Sequence, residues 1–134
     1  MQQVVVPVRY PLSARSRATL EEAIAIAEER EAALTVLHVN LYQDNHRVTR
    51  RQLREAVERD FGTLSNARYV VRRGLLVEET ILEEVAAGDA DVVVVGKRQA
   101  SRWQRMVRRL TDDPDIEQYL KTELDTEVVT ASSD

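Results

Sequence analysis

Three short runs of aliphatic residues, each rich in valine, constrain the fold of this chain more than any other feature. They occupy residues 4–8, 34–39 and 92–95, and no charged residue interrupts them. Strands covered by helices on both faces carry such continuous apolar runs, whereas strands with one face in water alternate apolar and polar side chains. The runs therefore predict central strands of a mostly parallel sheet.

Amphipathic helices are predicted between these strands, because apolar side chains recur there every three or four residues. These helices occupy residues 18–31, 48–61 and 77–88. Gly88 is placed to end the third helix, whose glutamate pairs, including Glu83 and Glu84, are assigned to its polar face. Residues 68–72 form a further predicted strand, and Gly74 breaks it.

The last third of the chain has the pattern of a helix followed by a strand. Ser101 is a candidate N-cap for that helix. The apolar face of the helix consists of Trp103, Met106, Val107 and Leu110. A separate helix or a sharp kink is predicted from residues 111–114 onward, and residues 127–130 form the final predicted strand.

Strands and helices alternate four times, and the pattern ends on a strand. Right-handed crossovers arrange this order as one open, mostly parallel five-stranded sheet with helices on both faces, so the predicted fold class is α/β. The 134 residues suffice for one core and are too few for two ordinary domains, so we expect a single domain of residues 1–134. No apolar run approaches the length of a membrane span, and we expect a cytoplasmic protein without membrane association.

Basic and acidic residues separate near the end of the chain. Residues 97–109 contain six basic residues and no acid, whereas residues 112–127 contain seven acids and one lysine. The basic stretch follows Gly96 at the end of a predicted strand, where α/β sheets commonly bind ligands. Two interpretations stay open, a solvated helix face or a footprint for nucleic acid or an acidic protein surface. The net charge of −4 argues against a protein that coats nucleic acid by charge alone.

The sequence contains no recognisable catalytic or metal-binding constellation. It has no cysteine, and its two histidines, His38 and His46, have no acid at recognisable ligand spacing. His38 is expected to be a hydrogen-bonded residue within a strand, and His46 lies in a predicted exposed loop. Ser13, Ser16 and Ser101 lack the glycines of a nucleophile elbow, so we assign them to caps and turns.

Two segments of the chain resemble the universal stress protein family, of the UspA type. They read VVVPVRYPLSARSRATLEEAIAIAEEREAALTVLHV at residues 4–39 and GLLVEETILEEVAAGDADVVVVG at residues 74–96. The order of predicted elements matches that family over nearly the whole chain. The resemblance implies a role in stress response and a sheet wound in the order 3-2-1-4-5, as in adenine nucleotide alpha hydrolase-like folds.

The resemblance also implies a homodimer. Members of the family commonly pair their last strands, and the last strand here consists of Glu127, Val128, Val129 and Thr130. An unpaired edge strand favours such pairing physically, because it presents a row of N–H and C=O groups without partners.

Many members of the family bind ATP through a motif after the fourth strand. The motif is glycine, two residues, glycine, nine residues, and then glycine followed by serine or threonine. Only Gly96 is present here, because the count places Gln99, Arg109 and Leu110 at the other positions. A register with a five-residue insertion does not restore the motif either. The aspartate that ATP-binding relatives usually carry after the first strand is Arg9 here.

We therefore predict a universal stress protein-like binding or regulatory module that is not an enzyme, needs no cofactor and lacks ordinary ATP binding. It is expected to recognise a small anion or a protein partner. The candidate site consists of Arg9, Gly96, Lys97, Arg98 and Gln99. Two alternatives stay open, namely ATP or AMP binding at the same place and nucleic-acid association through residues 97–109.

Overall fold

The computed structural model describes residues 1–111 and 125–131, with side chains for residues 1–106 and 125–131. The strands in this part of the chain are β1 (Gln3–Pro7), β2 (Ala33–Leu41), β3 (Ala67–Gly74), β4 (Val92–Val95) and β5 (Glu127–Thr130). The helices are α1 (Ala14–Glu29), α2 (Arg50–Phe61), α3 (Val77–Ala87) and α4 (Lys97–Thr111). None of the described helices is both long enough and apolar enough to span a membrane.

All five strands join one parallel sheet in the order β3-β2-β1-β4-β5. Val5 of β1 lies in register with Thr35 of β2 on one side and with Val93 of β4 on the other. The order implied by the family resemblance is therefore confirmed. The direction of winding switches between β1 and β4, and sheets of this type commonly bind ligands beyond the strand ends at that point.

Helices cover both faces of the sheet, as predicted. On one face, α1 and α2 contribute Leu20 and Leu53 to a core with alternate residues of β1 and β4. On the other face, α3 and α4 contribute Ile81 and Trp103 to a second core with the intervening residues. These four side chains are 0% exposed. Full burial of one such aliphatic side chain contributes about 1.5–3 kcal/mol.

Side-chain caps determine where the first two helices begin. The Ser13 hydroxyl accepts a hydrogen bond from the Ser16 amide over 3.1 Å, and α1 starts directly after Ser13, four residues before its predicted start. Thr49 and Gln52 form a capping box, and α2 starts directly after Thr49. Both helices begin at residues other than the predicted ones, because apolar periodicity locates the buried face of a helix rather than its first turn.

The predicted N-cap of α4 at Ser101 is wrong. The helix begins at Lys97, and the amide of Ala100 donates to the carbonyl of Gly96 over 2.9 Å. Glycine is tolerated at the N-cap position, so α4 needs no serine to begin. Ser101 lies in the second turn with its side chain exposed. The helix predicted after Pro114 lies outside the described residues.

One glutamate of α3 is buried against the sheet. Only 5% of the Glu84 side chain is exposed, and its Oε1 accepts a hydrogen bond from Nε of Arg72 in β3. The assignment of Glu84 to the polar face is therefore wrong, whereas its neighbour Glu83 is exposed. Glu84 follows the buried Ile81 by three residues, so the two side chains share a helix face. The Arg72 guanidinium offsets the cost of burying the carboxylate.

Removing Arg72 is expected to destabilise the protein more than removing the charge of Glu84. Arg72→Met leaves a buried carboxylate without its cation, which lowers the free energy of unfolding by about 3 kcal/mol. Glu84→Gln costs less, because its amide oxygen still accepts a hydrogen bond and the Arg72 side chain, 35% exposed, reaches water. Urea denaturation at neutral pH measures both losses. Equal losses in the two variants would contradict this account.

Tyr69 of β3 places a hydroxyl group in the core beneath α2. The residue is 9% exposed, and its hydroxyl has no hydrogen-bond partner in the described ranges. Burial, and then the negative charge of Glu58, raise the pKa of Tyr69, while Arg54 lowers it. The folded protein therefore keeps the phenol neutral at pH values where the unfolded chain ionises it.

Tyr69→Phe is expected to keep the stability at neutral pH or to raise it by about 1 kcal/mol, because no hydrogen bond is lost. Since the folded pKa of Tyr69 is raised, the wild type should lose stability as the pH rises above about 10, where an unfolded tyrosine ionises. The variant should lack that part of the loss. The free energy of unfolding, measured from about pH 8 to about pH 11, tests this difference between the wild type and the variant. Tyr42→Phe, at a side chain that is 55% exposed, is the control and should retain the wild-type profile. An unchanged alkaline loss in Tyr69→Phe would refute the assignment.

Candidate anion-binding site

The carboxyl ends of β1 and β4 lie at one edge of the sheet, because these strands are parallel neighbours. β4 ends at Val95, and Gly96 alone separates it from Lys97, the first residue of α4. The first turn of a helix has free backbone N–H groups and a partial positive charge. Lys97 and Arg98 add two exposed cationic side chains at the same place. This edge of the sheet therefore favours an anion.

A shallow groove runs along the exposed face of α4, and we call it the α4 groove. Its volume is about 370 Å³. Among the described residues, one hydroxyl and four cationic side chains line it, from Lys97, Arg98, Ser101, Arg102 and Arg105. All five residues are exposed. Their spacing follows the helix, because residues three and four positions apart share a face.

Three arginines of the α4 groove carry charge that the described residues do not neutralise. Arg98, Arg102 and Arg105 form no ion pair within residues 1–106 and 125–131, whereas Arg17 and Arg51 each pair with an acid. A guanidinium group stays charged at any accessible pH, and its planar fork can donate to two oxygens of a phosphate or carboxylate. The α4 groove is therefore suited to a ligand with several anionic oxygens.

The opposite face of α4 packs into the core. Trp103 is 0% exposed, and Ala100 and Met106 pack against the same cluster. This confirms that Trp103 belongs to the apolar face of the helix, and its buried ring is not available to stack on a base. Burial of this face determines which side chains of α4 point into solvent.

Three of the predicted site residues, Arg9, Gly96 and Gln99, lie outside the lining of the groove. Gln99 is partly buried, and its Nε2 finds no acceptor among the described residues. Arg9 follows β1 with an exposed side chain, and its backbone amide donates to the Ser16 hydroxyl over 2.9 Å. The structure thus brings Lys97 and Arg98 together at the start of α4 and leaves Arg9 at the same sheet edge, outside the groove lining.

The groove extends further along the helix than the predicted site. The groove continues past Gln99 through Ser101, Arg102 and Arg105. The signal was present in the sequence, because Arg98, Arg102 and Arg105 stand at positions i, i+4 and i+7 of one helix face. Such a row is also typical of a solvated helix surface. The spacing alone therefore does not distinguish a binding site from an ordinary exposed helix face.

The start of α4 does not provide the loop that the ATP-binding motif needs. That motif places glycine amides around the phosphates of the nucleotide. Here Lys97 already belongs to the first helical turn, and the amide of Ala100 is bonded to Gly96. The residues present do not fit the phosphate loop.

The histidines and serines outside the groove have structural roles. Nδ1 of His38 lies 3.1 Å from the carbonyl oxygen of Val8 and donates to it, since a carbonyl only accepts, so the predicted hydrogen bond is confirmed. His46 is exposed in a loop and Ser13 caps α1, as predicted, whereas Ser16 lies within α1 and its hydroxyl accepts a hydrogen bond from the amide of Arg9. Across the described ranges, no three histidine, aspartate or glutamate side chains are placed to hold a metal ion.

Solved structures of universal stress proteins resemble this fold over nearly the whole chain. A universal stress protein in complex with cAMP has a TM-score of 0.61 at 16% identity, and the alignment covers 99% of this chain and 98% of that one. UspA from Lactobacillus plantarum has a TM-score of 0.60 at 18% identity and 97% coverage of both chains. A universal stress protein from Archaeoglobus fulgidus in complex with dAMP has a TM-score of 0.55 at 14% identity and 97% coverage of both. Identities this low show that the fold is shared, and they do not show that ligands or residue roles are shared.

No curated protein sequence matches the chain. A family model does match it, with the description "Universal stress protein family", over residues 1–111. Those residues contain the first four strands and all four described helices. Because the match spans most of the chain, we conclude that the chain belongs to the universal stress protein family.

Proposed function

We propose that this protein is a non-enzymatic binding or regulatory module of the stress response, which recognises a small phosphate-type anion at the start of α4. One observation carries the proposal. Lys97 and Arg98 stand exposed at the N-terminus of a 15-residue helix, in a groove that two further arginines line. The helix N-terminus and the cationic side chains attract the same negative charge, so their effects on a bound phosphate add.

We propose binding rather than catalysis because of the side chains that line the α4 groove. Guanidinium and ammonium groups stabilise anions but do not act as bases while they are charged, and Ser101 has no histidine or carboxylate beside it among the described lining residues. An acidic segment of a protein partner would use the same cations. We propose that the module acts in the cytoplasm and needs no resident cofactor.

A nucleotide is the second candidate ligand. Two of the similar structures are described as complexes with cAMP and with dAMP. Each of these ligands carries a single phosphate group, which a cationic helix start could hold without a glycine-rich loop. The absence of further motif glycines after Gly96, and Arg9 in place of an aspartate, speak against ordinary ATP binding.

Isothermal titration with orthophosphate, AMP and magnesium ATP, each at low and high salt, tests the proposal. We expect one orthophosphate site per chain, and we expect Lys97→Gln/Arg98→Gln to weaken its affinity by about tenfold or more. Arg47→Gln/Arg50→Gln is the matched control, because it removes the same charge from two exposed positions elsewhere. The control should leave the affinity within about twofold.

Two outcomes of the titration would overturn the anion proposal. Saturable binding of AMP or ATP that persists at high salt, without phosphate binding, would replace it with the nucleotide alternative. No binding of any of the three ligands would remove the anion site and leave a protein partner as the ligand to be sought.

We also propose that β5 pairs two copies of the chain. β5 is an edge strand, bonded only to β4 within the described sheet. The amides of Glu127 and Ala131 donate to carbonyls on the β4 side, so the amides of Val128 and Thr130 point away from the sheet. A second β5 would satisfy these outward groups.

Thr130→Pro is expected to convert the dimer to a monomer. Proline removes the outward N–H group of residue 130, while the neighbouring amides keep their bonds to β4. Thr130→Ala is the matched control, because it changes the same exposed side chain and keeps the N–H group. Light scattering during size-exclusion chromatography, at several protein concentrations, measures the mass. A monomeric wild type, or a Thr130→Pro dimer as tight as the wild type, would overturn the β5 interface.

A further inference from the structure

We propose that the α4 groove binds a linear chain of phosphates, of the inorganic polyphosphate type, rather than a single anion. This inference rests on the proposed function and names the ligand class of the same site. The groove is longer than one phosphate needs, because the helix rises about 12 Å between Lys97 and Arg105 at roughly 1.5 Å per residue. A single phosphate reaches the cations at one end only, so the ligand that uses all of them is extended.

The arginines of the groove form one row. Arg98 and Arg102 are one turn apart, and Arg105 follows three residues later on the same face. None of the three makes an ion pair with another described residue. A polyanion therefore gains three charge-assisted contacts here without breaking an ion pair among the described residues.

The described lining of the groove suits phosphates and provides no aromatic ring for a base to stack on. Among the described residues, every lining side chain ends in a hydroxyl, an ammonium or a guanidinium group. The only tryptophan of the chain, Trp103, is buried on the other side of the same helix. Proteins that hold single-stranded nucleic acid without sequence preference combine charge with aromatic stacking. The α4 groove supplies only the first of these.

The surroundings of the groove favour a compact polyanion. The neighbouring helix α3 exposes Glu79 and Glu83, and the chain has a net charge of −4. A long nucleic acid is repelled by a net negative protein over more of its length than a short polyanion is. Adjacent phosphates of a polyphosphate share a bridging oxygen, whereas a sugar separates those of a nucleic acid. A polyphosphate therefore places more negative charge within the length of the groove.

The test compares orthophosphate with linear tripolyphosphate by isothermal titration. We expect the wild type to bind tripolyphosphate about tenfold tighter or more, because the longer anion reaches additional arginines. Arg102→Gln/Arg105→Gln should remove most of that gain and leave orthophosphate affinity within about twofold, since Lys97 and Arg98 remain. Arg47→Gln/Arg50→Gln, with the same loss of charge elsewhere, should behave like the wild type.

The fluorescence of Trp103 provides the folding control for these variants. Trp103 is the only tryptophan of the chain and lies on the buried face of α4. An unchanged emission maximum therefore shows that the helix still packs against the sheet. Glutamine is a good helix former, so the substitutions preserve the helix at these exposed positions.

Three results would overturn the inference in different ways. Tripolyphosphate bound no tighter than orthophosphate would refute it and leave the proposed anion site intact. A wild type that binds neither anion would refute both. A single-stranded oligonucleotide of equal charge that binds as tightly as tripolyphosphate, and is weakened equally by Arg102→Gln/Arg105→Gln, would assign the groove to nucleic acid instead.

Discussion

Burial of the valines of β1 and β4 on both faces of the sheet is the constraint on which the rest of the structure depends. Val4 and Val6 face the layer of α1 and α2, while Val5 faces the layer of α3 and α4. Successive side chains of a strand point to opposite faces, so a run of consecutive valines needs helices on both sides. α4 meets part of this need by inserting Trp103 into the second layer. The arginines on the other side of the same helix therefore point into solvent.

The same constraint determines the chemistry at the carboxyl edge of the sheet. Val95 is buried at the end of β4 and Lys97 already belongs to α4, so Gly96 alone connects strand to helix. A connection this short contains no loop that could wrap a phosphate with backbone amides. It places Lys97 and Arg98 at the helix start instead. The site thus presents side-chain charge where the ATP-binding motif presents glycine backbone.

The strands were more predictable than the ends of the helices. β4 and β5 coincide with their predicted ranges, because short apolar runs between polar turns leave little choice of boundary. β3 is longer than residues 68–72, since its pairing with β2 extends from Ala67 to Gly74. Gly88 is the C-cap of α3, as predicted. The starts of α1 and α2 depend on hydrogen bonds of Ser13 and Thr49, which periodicity does not report.

The amino-acid sequence alone determined the fold class, the central strands and the basic stretch after Gly96, because these follow from local periodicity and composition. Only the tertiary structure decided that Glu84 is buried against Arg72, and that α4 begins too early for Ser101 to cap it. It also decided that the arginines of the α4 groove form no ion pair with another described residue. A local pattern reports which face of a helix is buried. Ion pairs between elements depend on distances that chain packing sets, and those distances are not encoded in the spacing of residues along one element.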